Sequence, residues 1–352
     1  MGLALTEEER LLKQTAEDFF RNRAPVKQLR TLRDSRDATG FSRELWQEMA
    51  RLGWSGITIA EEYGGSDFGF FGLGLILEAA GRTLAATPLI STVVLGASAV
   101  QLAGNAAQRQ ATLPGVVEGS LILALALEEQ AHHAPLQIAT KATKAGGGYR
   151  LDGRKVFVLD GHVANQLIVV ARTSGAAGDR DGITLFLVDA NSKGIGRTRT
   201  IMVDSRNAAW IEFDGVEVGA DAVLGQVGRG ADVLEQVLDL GRIGLAAEML
   251  GSVTEAFERI VKYLKERKQF GVPIGSFQAL KHRAAEMFSE IELSKSAVLE
   301  SLTAINEKRN DLPQLASLVK ARLGETFFLV SNEGIQMHGG IGMTDEAEIG
   351  FF

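Results

Sequence analysis

The chain has 352 residues, of which 45% are hydrophobic and 23% are charged, a composition typical of soluble globular proteins with two or three domains. Its net charge of −7, without any basic tract, argues against nucleic acid or an anionic membrane as a partner. The absence of cysteine excludes disulfides and thiolate catalysis, and the five histidines lack the spacing of a metal site.

The N-terminal third of the chain has the apolar periodicity of helices. Residues 5–9 are typical of a helix start with a capping box and not of a signal peptide, and Leu12 and Ala16 follow on one helical face. The longest apolar run, at 121–127, is too short to span a bilayer. We therefore predict helices from residue 6 to about 115 and expect a cytoplasmic protein.

The pattern changes near Leu121, where short β-rich runs begin to alternate with glycine-containing turns. These runs lie at 121–127, 137–142, 148–158, 166–171, 183–188 and 209–213. Helical periodicity returns at 231–268, 276–310 and 313–338. The order predicts an α+β fold with an N-terminal helical domain (1–118), a central antiparallel β-domain (119–226) and a C-terminal helical bundle (227–352).

Two segments have the chemistry of a phosphate site. One is Gln336-Met337-His338-Gly339-Gly340-Ile341-Gly342, and the other is Arg267-Lys268-Gln269-Phe270-Gly271. A glycine pair after a long helix lets backbone N–H groups approach a phosphate, since no Cβ blocks the way. An arginine at a helix end offers a planar fork of donors to a pyrophosphate. A helix stop at Gly339 and a helix-end cation at Arg267 are ordinary alternatives, but they do not explain the joint occurrence.

These segments resemble the flavin-pyrophosphate motifs of the acyl-CoA dehydrogenase family, and the resemblance runs from the first helix to Phe352. It implies an α+β acyl-CoA dehydrogenase-like fold, FAD as cofactor, an acyl-CoA thioester as substrate and an oligomeric assembly. The cofactor-binding residues that it implies on the pyrophosphate side are Arg267, Gln269, Phe270, Gln278, Gln336, Gly339 and Gly340.

The flavin-ring side departs from the family. The family ends its first strand with Thr-Glu-Pro-Gly-x-Gly-Ser-Asp, whereas residues 127–134 are Leu-Glu-Glu-Gln-Ala-His-His-Ala, so that only Glu128 agrees. The family's Trp-x-Thr is matched by Phe157-Val158-Leu159, which keeps an aromatic ring and loses the hydroxyl for flavin N5. Phe157 is equally well explained as a half-buried strand aromatic. The pair His132-His133 and His338 are predicted to be surface or loop histidines.

The family's catalytic base, a glutamate that removes the α-proton, is missing from both known positions. Most members hold it in a Tyr-Glu-Gly-Thr segment, and this sequence stops at Phe352 before such a segment. A minority place it directly before an arginine, where this chain has Gly241 before Arg242. Glu248, two turns further on, is either a substitute base or a structural carboxylate. Asp239 and Arg242 match substrate-side positions, or form an ordinary helix ion pair.

In the resembling family one subunit supplies the ring contacts and the base, while its neighbour supplies the pyrophosphate side. This chain keeps the neighbour's half, which suggests a subunit that completes the FAD site of a paralogous partner in a hetero-oligomer. Some members that act on steroid-derived CoA thioesters resemble this arrangement. The alternatives are a complete homo-oligomeric dehydrogenase with an unusual base, and a catalytically silent flavin- or CoA-binding or structural subunit.

Overall fold

The computed structural model describes residues 5–352, and helices precede and follow the strand-rich segment. The α-helices are α1 (Glu7–Arg23), α2 (Val26–Asp34), α3 (Arg43–Arg51), α4 (Phe70–Arg82), α5 (Ser98–Ala103), α6 (Ala106–Val117), α7 (Gly230–Glu266), α8 (Gln278–Asn306) and α9 (Leu312–His338). A π-helix, Leu89–Ala97, directly precedes α5. Among the helices of residues 5–352, none combines the length and apolar character that crossing a bilayer requires.

The predicted capping box at the start of α1 is confirmed. Thr6 Oγ1 accepts a hydrogen bond from the backbone N–H of Glu9 (3.2 Å), and the Glu9 carboxylate accepts one from the backbone N–H of Thr6 (2.8 Å). Both contacts satisfy amides that have no intrahelical partner in the first turn. The helix therefore begins where the local sequence indicates.

The strands between α6 and α7 form one sheet. They are β1 (Leu123–Ala126), β2 (Lys141–Ala145), β3 (Gly148–Leu159), β4 (Gln166–Arg172), β5 (Ile183–Asp189), β6 (Ile195–Ile201), β7 (Asn207–Gly219) and β8 (Val223–Leu224). Their order is β6-β7-β3-β2-β4-β5-β8, with β1 beside β4. The ladders are mostly antiparallel, as predicted, with the exception that β4 pairs in parallel with β1 (Leu123 opposite Gln166) and, at one position, with β2 (Lys141 opposite Arg172). Alternating side chains do not distinguish the two directions, so the sequence pattern could not indicate this exception.

Two strand predictions were wrong. The run at 137–142 is irregular up to residue 140, after a turn in which the N–H of Gln137 bonds to the carbonyl of Ala134, and the strand (β2) begins only at Lys141. β6 was missed because its interior, Gly-Arg-Thr-Arg-Thr, has no apolar alternation. It lies at the sheet edge and pairs with β7 through backbone groups, so it needs no buried face of its own.

The chain divides into two compact units. One contains residues 69–85 and 242–352 with the described segment up to Thr31, and the other contains residues 32–68 and 86–241. In the second unit, Ile168 and Val170 of β4 enter one apolar cluster, while alternate residues of the same strand enter another. This is the period of two that a strand buried on both faces shows. The three domain boundaries drawn from the sequence stay predictions.

Helices α4 and α7 approach each other through glycines in the first unit. A Cβ built on Gly251 would lie 1.8 Å from the carbonyl oxygen of Glu78, and one on Gly81 would lie 1.9 Å from that of Glu248. The Ser252 hydroxyl also donates to the carbonyl of Gly81 at 2.9 Å. These glycines are needed because backbone atoms of the other helix occupy the space of a side chain.

We predict that Gly251→Ala destabilises the protein by about 3 kcal/mol or more, since the two helices must separate to admit the methyl group. The matched control is Gly324→Ala in α9, where the nearest atom to a built Cβ is Lys320 Nζ at 4.0 Å. The control should be neutral or stabilising by up to about 1 kcal/mol, because alanine favours a helix over glycine. Chemical denaturation of both variants measures the difference, and equal stabilities would contradict the prediction.

Candidate functional site

The segment after α7 is a tight β-hairpin. Strand β9 (Lys268–Gln269) pairs with β10 (Val272–Pro273), and Phe270 and Gly271 form the turn with φ angles of 55° and 80°. Two positive φ values suit the twist of a two-residue hairpin, and glycine at the second position makes this turn accessible. The Phe270 side chain is 90% exposed at the tip and touches the ring of Phe277 edge-on, at 6.0 Å between centroids. Phe270 is therefore not part of the core of its own protomer.

The glycine pair lies directly after α9. Gly339 has φ 65° and ψ −145°, a backbone conformation that glycine adopts and other residues avoid. A Cβ built on either Gly339 or Gly340 would meet no atom within 4 Å. Packing within the protomer thus gives no reason for glycine at position 340. Open space above two adjacent backbone amides is what a phosphate-binding loop requires.

The hairpin and the glycine pair are joined by a contact that the sequence did not indicate. The Tyr263 hydroxyl donates to the carbonyl of His338 at 3.2 Å, and the two rings stack at 4.3 Å. The backbone N–H of Arg267 bonds to the carbonyl of Tyr263, and His338 directly precedes Gly339. The prediction of His338 as a surface histidine is corrected, because its Nδ1 also lies 2.7 Å from the carbonyl oxygen of Gly334. Burial lowers the pKa of His338, so the ring is neutral near pH 7.

The remaining predicted residues of this side are also accessible. Arg267, Gln269, Gln278 and Gln336 are all exposed. Long polar side chains that surround an open glycine pair could donate hydrogen bonds to an anion. The residues present therefore fit the pyrophosphate part of FAD.

The ring-side loop is closed by a buried ion pair. Lys155 is fully buried, and its Nζ lies 2.7 Å from Glu129 Oε1 and 2.9 Å from the carbonyl oxygen of Leu127. The Glu129 carboxylate accepts hydrogen bonds from the backbone N–H groups of Ala139 (2.7 Å) and Thr140 (2.9 Å). One salt bridge thus connects the start of the loop at residue 127, its end at residue 140 and strand β3.

The ion pair stays charged although it is buried. Burial lowers the pKa of Lys155 to about 8, and the neighbouring Glu129 carboxylate opposes that fall. Burial alone would raise the pKa of Glu129, but the Lys155 ammonium outweighs it and the pKa is lowered. Glu128, the residue that agrees with the family, accepts from the backbone N–H of Ala134 (3.2 Å) and contacts His133 Nδ1 (2.5 Å). His133 is exposed, as predicted, and its side chain pairs with Glu128. The amides of residues 134, 139 and 140 are therefore occupied by the chain's own carboxylates.

Phe157 lies in a bulge of β3. The register with β7 shifts between Lys155 and Val158, and Phe157 has φ 51°. A bulge turns a side chain out of the regular alternation, and Phe157 is 45% exposed. Leu159 is partly buried and carries no polar side-chain atom. An aromatic face is accessible here, but a hydroxyl for flavin N5 is absent, so the ring side fits the cofactor poorly.

The side chain of Leu95 lies beside Gly241, the residue that the resemblance assigns to the base position. A Cβ on Gly241 would lie 2.9 Å from Leu95 Cδ2, on the π-helix. Asp239 is buried, Arg242 is partly buried, and Glu248 lies where the backbone of α7 packs against Gly81. Within residues 5–352, no cluster of three or more His, Asp or Glu side chains could hold a metal ion.

A buried carboxyl group that the sequence did not indicate lies directly after Leu159. Asp160 Oδ2 accepts a hydrogen bond of 2.6 Å from the hydroxyl of Ser91, on the same π-helix. Burial raises the pKa of Asp160 to about 6, against the opposing effects of Ser91 and Arg206. The group therefore changes its charge inside the protein between pH 5 and pH 7.

This titration predicts a pH-dependent stability. Because the pKa of Asp160 is higher in the folded chain (about 6) than its ordinary 3.8, the folded state binds the proton more tightly. The stabilisation that protonated Asp160 gives the folded state is fully present below pH 4 and is lost as the pH rises through about 6. A pKa difference of about two units corresponds to about 3 kcal/mol of unfolding free energy. Relative to Asp160→Asn, the wild type should lose this stability between pH 4 and pH 7. Urea unfolding at both values measures it, and a pH-independent difference would contradict the assignment.

Fold and site together define a class: an α+β protein with an exposed hairpin, an open glycine pair and a mostly antiparallel sheet between helical segments. Models of the acyl-CoA dehydrogenase N-terminal, middle and C-terminal domains match residues 6–120, 124–216 and 228–351. The chain belongs to the acyl-CoA dehydrogenase family, whose members are FAD-dependent oxidoreductases.

Relatives of this chain include enzymes and a two-protein complex. A 3-(aryl)acrylate reductase of Clostridium sporogenes is 30% identical over 98% of this chain and 91% of that protein. The butyryl-CoA dehydrogenase structure from Megasphaera elsdenii is 29% identical, with a TM-score of 0.90 over 100% of this chain and 93% of that one. A chain of the ChsE4-ChsE5 complex from Mycobacterium tuberculosis is 26% identical, with a TM-score of 0.89 over 100% and 92%.

Proposed function

We propose that this chain is a subunit of a hetero-oligomeric acyl-CoA dehydrogenase and completes the FAD site of a paralogous partner. The observation that carries the proposal is the asymmetry between the two halves of the site. The pyrophosphate half is exposed and open around Gly339 and Gly340, whereas the ring half is closed by Glu129 and Lys155. The similarity to a chain of the ChsE4-ChsE5 complex supports an assembly of two different subunits.

In the assembly, the open half would hold the pyrophosphate of FAD whose ring lies in the partner. Arg267 would donate two parallel N–H groups to phosphate oxygens, which is the strongest type of contact available to this half. The N–H groups of Gly339 and Gly340 would approach the phosphate without steric hindrance. Phe270, 90% exposed, would be buried at the interface. When bound, FAD accepts the β-hydride of an acyl-CoA thioester.

The chain's own half-site does not match these requirements. Leu159 cannot donate a hydrogen bond, Leu95 lies beside the glycine at the base position, and the ring-side loop binds its own carboxylates. The partner should therefore supply the ring contacts and the catalytic carboxylate. The substrate class is an acyl-CoA thioester, and the acyl group is left open.

A complete homo-oligomeric enzyme is the second candidate. It is favoured by the 30% identity, over nearly the whole chain, to the 3-(aryl)acrylate reductase, whose name mentions no second subunit. A silent flavin- or CoA-binding protein is the third. Flavin absorbance of the chain expressed alone separates them. A colourless protein supports the partner subunit, bound flavin that acyl-CoA bleaches supports the complete enzyme, and bound flavin without bleaching supports the silent protein.

The co-expressed complex tests the proposal through Arg267. We predict that Arg267→Ala weakens FAD retention by about 1.5–3 kcal/mol, roughly ten- to a hundredfold, because a charge-assisted bidentate contact is lost. The matched control is Lys268→Ala, which removes the next exposed cation of the same hairpin. Flavin stoichiometry is measured after gel filtration of this chain with a paralogue that retains the glutamate. Equal FAD retention in both variants would contradict the role of Arg267.

A further inference from the structure

A groove of about 780 Å³ lies beside β2, within residues 86–241. We call it the β2 groove. Its lining residues are Ile138, Ala139, Lys141, Ala142, Thr143, Lys144, Tyr149, Arg172, Thr173, Ser174, Gly175, Ala176, Ala177, Val227 and Gly228. The volume lies in the range of about 300–1,000 Å³ that is usual for ligand sites. Ala139 is shared with the ring-side loop, whereas the pyrophosphate-side residues and Phe157 do not line the groove.

One wall of the groove is an unpaired strand edge. β2 and β4 share a single register pair, Lys141 with Arg172, next to a hydrogen bond of 2.8 Å from the N–H of Arg172 to the carbonyl of Thr140. β4 ends at Arg172, whereas β2 continues past it for residues 142–145. Backbone groups of alternate residues in a strand face the same side. The N–H and C=O of Lys144 therefore face the groove and not β3.

Four consecutive small residues also line the groove. Ser174, Gly175, Ala176 and Ala177 follow one another along the loop after β4. Without long side chains in this loop, an extended backbone could lie against the edge of β2. The groove has the shape that strand addition requires, in which main-chain hydrogen bonds provide affinity and side-chain pockets provide specificity.

The charge of the groove indicates the kind of peptide. Lys141 and Lys144 are exposed and no Asp or Glu is among the lining residues, but the Asp179 carboxylate bonds to the N–H of Ala176 (2.8 Å) behind the small-residue loop, so the positive charge is concentrated at β2. Arg172 keeps its positive charge but has few donors left for a ligand, because its guanidinium already donates to the carbonyls of Ile138 (3.0 Å), Asp181 (2.9 Å) and Asp179 (2.9 Å). The two lysines are three residues apart and therefore lie on opposite faces of β2, where each would attract a carboxylate on its own side of an added strand.

We propose that the β2 groove binds an extended acidic peptide segment of a partner protein, which adds a strand to β2 at Lys144. The unpaired edge supplies one donor and one acceptor, the small-residue loop admits the peptide backbone, and the two lysines select acidic side chains. The proposal does not depend on the function proposed above, since Lys141, Lys144 and the loop at 174–177 belong to neither half of the FAD site.

The probe is the pentapeptide acetyl-Glu-Val-Glu-Val-Glu-amide, titrated into the isotope-labelled full chain. We expect the Lys144 amide to shift and its hydrogen exchange to slow. The lysine counterpart of the peptide should bind at least about fivefold more weakly, and N-methylation of the valines should weaken binding about three- to tenfold through lost hydrogen bonds. Equal binding of all three peptides would overturn the proposal. So would full competition by inorganic phosphate, which would indicate a small-anion site.

Two variants separate charge from strand pairing. Lys144→Ala removes the cation and keeps the backbone donor, whereas Lys144→Pro also removes the N–H that faces the groove. Binding should weaken modestly in the first variant and be lost in the second. Unfolding curves show whether Lys144→Pro still folds. If it does not, the binding of the N-methylated peptide is the test of strand pairing. Unchanged binding in a folded Lys144→Pro would rule out strand addition.

Discussion

The isolated chain, supplied with FAD, should oxidise acyl-CoA thioesters about a hundred- to ten-thousandfold more slowly than an acyl-CoA dehydrogenase with an intact glutamate. This is the usual contribution of a positioned general base, and we predict that Gly241 stands at that position on α7. Leu159 also leaves flavin N5 without a hydroxyl partner. Anaerobic flavin bleaching with acyl-CoA substrates of varied length measures the rate, and rapid bleaching by any of them would favour the complete enzyme.

Restoring the carboxylate alone should not restore activity. A Cβ at position 241 lies 2.9 Å from Leu95 Cδ2, so the side chain of Leu95 must move to admit Gly241→Glu. The double variant Gly241→Glu/Leu95→Ala removes that clash and is the matched comparison. We expect both to remain inactive, because the ring-side loop and Leu159 are unchanged. Activity in the double variant only would show that the base alone was missing.

The second large effect is expected at the buried ion pair. Lys155→Met should destabilise the fold by about 3–5 kcal/mol, because it leaves the Glu129 carboxylate without its cation inside the protein. Glu129→Leu should have a similar effect through the fully buried ammonium of Lys155. The double variant Lys155→Met/Glu129→Leu should recover much of the loss, since neither charge is then left unpaired.

The measurement is chemical denaturation of the four proteins as a double-mutant cycle. Hydrogen exchange adds a local readout, because the amides of Ala139 and Thr140 lose their acceptor when Glu129 is removed. The control is Lys193→Met, which removes an exposed lysine of the same unit. Additive effects at residues 129 and 155 would contradict a coupled pair.

Much of the fold was accessible from local sequence. The capping box at Thr6 and the apolar period predicted the helices correctly. The three long C-terminal helices begin and end within a few residues of their predicted bounds. The motif residues at 267–271 and 336–342 also indicated the family, because turn and helix-end chemistry is written in consecutive residues. β6 was missed for the same reason, since an edge strand of arginines and threonines has no local apolar signature.

The state of the site depended on residues far apart in the chain. Tyr263 meets His338 across 75 residues, and Lys155 meets Glu129 across 26. Whether a lysine in a strand is exposed or buried against a glutamate depends on the register of the sheet, which no local pattern specifies. The sequence by itself therefore determined the helices, most strands and the motifs at 267–271 and 336–342, through backbone preferences and hydrophobic period. Only the tertiary structure decided that the ring-side loop is closed and the glycine pair open, because those properties arise from packing between distant segments.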